Sequence, residues 1–373
     1  MSQVEWKEVR LGDVCIVLNG RAYSQPELLN SGKYKVLRVG NLVGGDKFYY
    51  SDMELEENKY CFDGDLLYAW ACSFDSYIWK EGKTIFHYHI WKLLPKEDVL
   101  DKKFFYFYLK YVTPRLLGKT NGSVMQHITK DLFEKTELSL PPLEEQKRIA
   151  GILSSLDDKI ELNNKINDNL EKQAQLLYSE MFIEEPDVPL GSVVITTSGG
   201  TPNRKESSFY TNGSICWVKS KELLGSFILD TEEKITEVAL NKSAAKKIPA
   251  NSVMIAMYGA TVGEYGIISK EMTCNQAICA LVENEKYPYT YLFMYTKMHK
   301  QELINMAVGS AQQNISQLII KEMLVHSDLD KIQAYHAKTD SLFQEMKMIQ
   351  EENQRLTILR DTLLPKLMSG ESL

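Results

Sequence analysis

Apolar positions step by seven along two stretches of this chain and alternate in short runs elsewhere, so it reads as two long helices set between strand-rich blocks. Pro141-Pro142-Leu143-Glu144-Glu145-Gln146 opens the first helix, because proline suits a first turn and glutamates favour its positive end. From there to Phe182 no proline occurs, and Gly151 is the one glycine. Ile149, Leu156, Leu170 and Leu177 fall on one row with the polar Asn163 interrupting it. Ile152, Leu153, Ile160, Ile166, Ala174 and Met181 fill the neighbouring rows. This is a coiled-coil stripe of about five heptads, and residues 144–181 as helix span roughly 57 Å at ~1.5 Å per residue. Glu184-Glu185-Pro186-Asp187 ends it. The second helix is predicted from about Asp328 to Leu364, with Leu342, Ile349, Leu356 and Leu363 as its core row. Met346, Leu359 and the polar Asn353 lie alongside, and Pro365 is expected to stop it. Two such stripes bury best against each other, which predicts an antiparallel coiled coil acting as a rod between two heads.

The remaining blocks carry the strand signals. Tyr34 to Val39, Asp65 to Trp70 and Thr84 to Leu94 are β-branched and aromatic runs, broken by Gly44-Gly45-Asp46 and Asp63-Gly64-Asp65. Lys102 to Leu117 reads as an aromatic-rich helix ending near Gly118. The chain therefore divides into an α/β domain (1–142), a helical spacer (143–182), a second α/β domain (183–327) and a second helix with its tail (328–373).

The two blocks are copies. Leu11-Gly12-Asp13-Val14 and Gly20 recur as Leu190-Gly191-Ser192-Val193 and Gly199, an offset of 179. Asp65-Leu66-Leu67-Tyr68-Ala69 recurs as Ser252-Val253-Met254-Ile255-Ala256 at 187. Gly122-Ser123, Gln126, Ile128 and Thr129 recur as Gly309-Ser310, Gln313, Ile315 and Ser316 at the same 187, so one eight-residue indel reconciles the two offsets. A period this long is not a solenoid. It predicts an α/β (α+β) fold with two tandem domains in a pseudo-twofold pair, and matched heads suit a target with two sites.

Composition changes the picture in one respect. Hydrophobic content of 44% and charged content of 25% are those of an ordinary globular protein, with no apolar run of membrane length and no export signal at the N-terminus. The six cysteines are scattered without a Cys-x-x-Cys pair, which points to reduced thiols, a cytoplasmic protein and no zinc site. The net charge, however, is −7, from 43 Lys and Arg against 50 Asp and Glu. Phosphate neutralisation supplies most sequence-independent DNA affinity, so this chain alone is a poor nucleic-acid clamp. It can still read bases inside a larger, more basic assembly.

Signatures of catalysis fail on inspection. Gly118-Lys119-Thr120 and Gly82-Lys83-Thr84 resemble the end of a P-loop, but the upstream glycine is replaced by Thr113 and Tyr77. Gly259, Gly263 and Gly266 have the wrong spacing for a dinucleotide fingerprint. Pro186-Asp187 has no nearby Glu-x-Lys to complete a nuclease motif, and no Asn/Asp-Pro-Pro-aromatic tetrad is present. His87 and His89, if on a strand, face one side and could pair on a metal, but flanking Ile85, Phe86, Ile90 and Trp91 favour sheet packing or base contact.

Candidate DNA contacts come in two groups. The loops around Ser123, Gln126 and His127, and around Ser310, Gln313 and Asn314, precede the long helices at matching places. Gln and Asn can bond an adenine edge and Ser can hold phosphate; the alternative is a turn and N-cap, with Thr129 or Ser316 as the cap. The second group is aromatic and basic. It comprises Arg21, Tyr23, Arg38, Tyr68, Trp70 and Trp79 in copy one, and Arg204, Lys205, Trp217, Lys219, Lys221 and Tyr258 in copy two. Singly each reads as a surface charge or packed ring; together they form a groove-facing set.

Trp6-x-x-Val9-x-Leu11-Gly12-Asp13-Val14, Pro141-Pro142-Leu143-x-Glu145-Gln146-x-x-Ile149-Ala150, Asp157-x-Lys159-Ile160 and the stretch Leu359 to Glu371 resemble the DNA-specificity subunit of type I restriction–modification systems. Asp65 to Leu94 is also similar to a recurring type of target-recognition domain. The resemblance covers the whole chain and implies that each α/β domain reads one half of a split double-stranded DNA site, while the helix pair sets the gap. It further implies that the rod docks two modification subunits, which bind S-adenosylmethionine and methylate adenine. Restriction subunits then join, so that ATP and Mg are held by partners and no cofactor, metal or catalytic residue by this chain. One departure is that His326-Ser327-Asp328-Leu329-Asp330-Lys331-Ile332-Gln333 stands where a second Pro-Pro-Leu-x-Glu-Gln is expected, which puts the second domain's docking on its helix in question. The competing class is a two-headed coiled-coil adaptor with no DNA role. It explains the acidic balance but not two matched heads of different surface sequence.

Overall fold

The computed structural model describes residues 5–118, 127–307 and 313–371. It divides into two compact units, 1–160 with 356–373 and 161–355, so each long helix contributes a segment to both.

In the first unit, Cys15–Asn19, Ile90–Pro95, Leu66–Ala69 and Ser76–Ile78 form an antiparallel sheet in that order. A second sheet orders Tyr49–Ser51, Tyr34–Leu37, Thr84–Phe86 and Tyr60–Cys61, and its central pair is parallel. The expected single run from Thr84 to Leu94 is thus two strands in different sheets, with a turn at 87–89 between them. Its alternation is broken because each end must pair with a different neighbour. Lys102–Leu117 is a helix as its pattern predicts, capped by the Asp101 carboxylate on the Phe104 N–H, and its buried Phe104, Phe105, Tyr108 and Leu109 close the core with Leu66, Tyr68 and Trp91.

The second unit repeats this plan. Ile195–Ser198, Ile278–Val282, Val253–Ala256, Tyr265–Ile268 and Phe227–Ile228 make one sheet. Lys234–Ile235, Ile215–Val218 and Thr273–Cys274 make the other, whose middle strand pairs in parallel with the edge strand Thr273–Cys274. Tyr289–Met298 is the helix matching Lys102–Leu117.

The long helices run Leu143–Met181 and Leu329–Met368 and pack on each other antiparallel. Pro365 does not stop the second one; it sits within the last turn, and the Ser369 N–H still reaches its carbonyl at 3.0 Å. Proline removes one donor and strains the preceding turn, but near a C-terminus few later bonds depend on it. Of the expected core row in the first helix, Ile149, Asn163 and Leu170 are buried and Leu156 and Leu177 half-buried. In the second, Leu342, Ile349, Leu356 and Leu363 are half-buried flanks. The deeper row there is Ile332, Thr339, Met346 and Leu367, with Asn353 and Arg360 between. Its polar members hid it from an apolar count.

Those polar members are partnered. Asn163, 1% exposed, donates from Nδ2 to Glu352 Oε2 and Asn353 Oδ1, both at 2.8 Å, and Asn353 Nδ2 donates to Asn164 Oδ1 at 2.9 Å. Arg360 meets Asp157 at 2.7 Å. Asn163→Leu alone takes the donor from Asn353 Oδ1 at the seam and is expected to cost about 1–3 kcal/mol. Adding Asn353→Leu should recover most of that loss, since an apolar pair can replace a buried polar one. Urea unfolding of the single and double variants checks this, and a double variant weaker than the single would refute it.

Gln146 docks the first domain on its helix: Oε1 accepts from the Asp101 N–H, and Nε2 donates to the Val99 and Pro141 carbonyls, all at 2.9 Å. The second domain holds its helix differently. Gln333 Nε2 still donates to Glu285 O at 2.7 Å, but the buried anchor is His326 among Tyr178, Phe182 and Tyr291. Ser327 adds bonds to Asp187, and Asp328 caps the helix through the Lys331 N–H. The missing Pro-Pro-Leu motif is therefore replaced by a histidine–tyrosine lock.

Candidate nucleic-acid interface

In each unit one parallel strand pair, Tyr34–Leu37 with Thr84–Phe86 and Ile215–Val218 with Thr273–Cys274, ends at a surface where nominated residues gather. In the first unit Arg38 follows the strand Tyr34–Leu37 and His87 follows Thr84–Phe86. With His89, Asn41, Lys47 and Ser73 they line a cleft of about 710 Å³. Arg38 is exposed with its guanidinium 5.4 Å from the centre of the Tyr49 ring. Burial, then the neighbouring His89 and Arg38, push the His87 imidazole down to about 4, so it is neutral near pH 7. Trp70 is half-buried, stacks on Trp91 at 5.8 Å, donates to the Tyr88 carbonyl at 2.7 Å and meets the edges of His89 and the exposed His127.

Arg21 is tied to Glu27 at 2.6 Å and lies over the Tyr23 ring. The buried Tyr23 hydroxyl has no hydrogen-bond partner among the described residues, and burial raises its pKa. Tyr68 is a correction. It is fully buried, stacked on Trp91, and bonded to Thr113 at 2.9 Å, so it belongs to the core and offers nothing to a groove. The strand Leu66–Ala69 has neighbours on both edges and both faces covered, in keeping with its unbroken apolar run. Trp79 and Trp217 are likewise buried.

In the second unit the basic residues are held by carboxylates. Arg204 makes two bonds to Glu233 at 2.7 and 3.0 Å and lies over Trp217 and Tyr210, 4.8 and 4.6 Å from the ring centres. Lys219 reaches Glu232 at 2.9 Å and Glu233 at 2.8 Å, while Lys221 reaches Glu232 at 2.5 Å. Arg204 and then Lys219 hold the Glu233 carboxyl down at about 2. The Glu222 carboxylate joins them, accepting the Lys219 and Glu232 N–H groups at 2.7 and 2.8 Å, so three cations face three carboxylates and the cluster carries no local excess of positive charge. Lys205 is exposed, and Tyr258 is half-buried and bridged to Asn314. Gln313 and Asn314 are both exposed, and the Gln313 carbonyl accepts from Gly259 at 2.9 Å.

Ser123, Gln126 and Ser310 lie outside the described residues. Beside them, Thr129 caps Lys130–Glu134 through the Leu132 N–H, and Ser316 caps Gln317–Glu322 through the Ile319 N–H. The capping role is therefore filled at both loop ends. Residues not singled out by sequence include Asn41 and Ser73 on the cleft wall and Asn275, which takes the place of His87 in the second unit. Only the superposed strand register reveals that last equivalence. Five of the six cysteines are buried and all six are free, with burial pushing Cys15, Cys61, Cys274 and Cys279 up to about 12. Among the described residues no cluster of three metal-ligating side chains occurs, and no helix is long and apolar enough to cross a membrane.

Two strand-rich domains of one design, each with basic and aromatic side chains at a strand-end surface, define a two-headed recognition protein. Residues 3–172 and 186–355 both match the type I restriction modification DNA specificity domain, and the chain belongs to that family, whose part is choice of DNA target and not catalysis. It is 23% identical over 476 aligned positions to the type I restriction enzyme HindI specificity subunit of Haemophilus influenzae, covering 98% of this chain and 99% of the relative. It is 27% identical to the MjaVIII specificity subunit of Methanocaldococcus jannaschii, over 98% and 93% of the two chains. The crystal structure of the S subunit from M. genitalium shares its fold with a TM-score of 0.59 at 18% identity, over 98% and 97% of the chains.

Proposed function

We propose that residues 1–142 and 183–327 each read one half of a bipartite double-stranded DNA site, and that 143–182 and 328–373 set the unread gap between them. The observation carrying this is the repeat itself: one strand-end surface occurs in both units with different side chains, Arg38 and His87 in one, Lys219 and Asn275 in the other. Same scaffold with different chemistry suits two different half-sites. Arg21, Tyr23, Trp70, His127, Arg204, Lys205, Lys221, Tyr258, Gln313 and Asn314 remain candidate contacts around these surfaces.

With a net charge of −7, the phosphate clamp has to come from elsewhere. Two modification subunits docked on the helix pair supply it in this reading, together with S-adenosylmethionine and adenine methylation. Restriction subunits supply ATP- and Mg-dependent translocation and cutting. Co-expression with the modification subunit, followed by single-molecule sequencing of methylated adenines, is expected to give a two-part motif with a fixed gap. Exchanging residues 1–142 for another recognition domain should change one half only, and removing seven residues from both helices should shorten the gap. A motif that changes in both halves, or a gap that stays fixed, would sink the reading.

A further inference from the structure

The two units share a small device at the ends of their parallel strands. In the first, Leu37 lies opposite Phe86, so Arg38 and His87 leave the sheet side by side. The His87 N–H donates to the Leu37 carbonyl at 2.9 Å, and His87 Nδ1 accepts from the His89 N–H at 3.4 Å. In the second, Val218 lies opposite Cys274, so Lys219 and Asn275 leave together. The Asn275 N–H donates to the Val218 carbonyl at 3.0 Å, and Asn275 Oδ1 accepts from the Ala277 N–H at 3.1 Å. An imidazole and a carboxamide thus do one job, each spending its acceptor on the backbone N–H two residues on.

That bond fixes what is left over. With Nδ1 accepting, the neutral His87 ring carries its proton on Nε2, and Asn275 keeps its Nδ2 hydrogens. Neither donor has a partner among the described residues, and both side chains are half-buried at the surface. A turn alone needs only the acceptor. The outward donor, pinned in direction and set beside a cation, has the form of a base-edge reader, because purine N7 and O6 and thymine O4 all present acceptors in the major groove.

We propose that His87 and Asn275 are the specificity-determining residues of the two heads, each giving one oriented hydrogen-bond donor to a base acceptor in its half-site. The exposed Arg38 beside His87 takes the adjacent phosphate or a second acceptor, and Lys219 beside Asn275 does so on exchanging its bonds to Glu232 and Glu233. The low pKa of His87 serves the same end, since protonation would remove the Nδ1 acceptor that holds the ring. This assignment rests on the half-site reading above.

The test uses the full complex with its modification subunits, acting on a randomised duplex library with methylated adenines read by single-molecule sequencing. Wild type is compared with His87→Ala, His87→Asn, Asn275→Ala and Asn275→His. The Asn and His exchanges copy the other unit's solution, so they keep the turn and the fold while changing the reach of the donor. Each substitution is expected to alter discrimination by about tenfold at one position, in the half-site of its own domain. A two-part motif unchanged in all four variants overturns the inference alone, and leaves these residues as turn formers. So does any single substitution that alters both halves. A wild-type complex that yields no two-part motif overturns the half-site reading, and the inference falls with it.

Discussion

Gly199→Ala is expected to remove the second recognition surface and to destabilise residues 161–355 by about 3 kcal/mol or more. A Cβ at this position falls inside the Cys274 carbonyl oxygen, with the carbonyl carbon 2.6 Å away. The carbonyl cannot retreat cheaply. It accepts the Gly200 N–H at 3.0 Å, and its strand Thr273–Cys274 is paired with Ile215–Val218. Any shift also pulls on Asn275, the next residue along. Gly20 meets the same demand in the first unit, where a Cβ would lie 2.5 Å from the Phe86 carbonyl oxygen and closer still to that of His87. Gly20→Ala should therefore abolish selectivity for the other half-site only. Trp217 is the one tryptophan of residues 161–355, and its indole donates to the Gly200 carbonyl at 3.0 Å. The other four tryptophans lie in residues 1–160, so Trp217 is the indole that senses the change when the fluorescence transitions of Gly199→Ala and wild type in urea are compared. A Gly199→Ala protein with an unshifted transition and an intact motif would refute the steric account.

His326→Ala is expected to cost about 2–4 kcal/mol and to flatten the acid limb of the stability profile. His326 is 7% exposed. Its Nε2 donates to the Glu184 carbonyl at 3.0 Å, since a carbonyl can only accept. Its Nδ1 then accepts from the Tyr291 hydroxyl at 2.9 Å, and that same hydroxyl accepts the His326 backbone N–H at 3.0 Å. Removing the ring leaves the Tyr291 hydroxyl without its acceptor, opens a cavity beside Phe182, and frees the Glu184 carbonyl. A neighbouring cavity of about 300 Å³ lets water reach that carbonyl, which keeps the cost from rising further. Burial lowers the pKa of His326 below its ordinary value. A group whose folded pKa is depressed lends stability above its unfolded value, near 6.5, and loses it as the pH falls below that. Wild type should thus weaken below about pH 6.5 more steeply than His326→Ala. Parallel slopes measured by urea unfolding between pH 8 and 5 would show that this ring is not the titrating group.

Both predictions turn on residues whose sequence context gave only part of their role. Gly20 and Gly199 are recognisable as a repeated pair, because each follows a Leu-Gly-x-Val motif at the same spacing, Leu11 to Val14 and Leu190 to Val193. The reason for glycine is not, since the atoms that crowd them come from Phe86, His87 and Cys274, far along the chain. In sequence His326 is a departure from a motif, and only its packing among tyrosines shows that it replaces the motif's anchoring work. Tyr68 is different: its strand Leu66-Leu67-Tyr68-Ala69 is apolar throughout, as a strand covered on both faces is, and the helix Lys102–Leu117 covers the face that carries Tyr68. The basic residues of the second domain were legible as charges, but Arg204 and Glu233 are distant in sequence and their pairing was not.

What the chain determined alone is what depends on local, periodic chemistry. A seven-residue rhythm sustained between helix-starting and helix-ending residues specifies the two long helices, and a duplicated pattern of turns and strands specifies two domains of one kind. Tertiary structure decided whatever depends on contacts between distant segments. It chose which row of the second helix is deepest, because Asn353 meets Asn163 and Arg360 meets Asp157 on the other long helix, which makes polar residues acceptable there. It parted Thr84–Phe86 from Ile90–Pro95 into separate sheets, so that His87 turns outward at a strand end. Side-chain periodicity records only which face of an element is buried; which distant atoms bury it, and which donors are then left pointing outward, is settled when the sheets close.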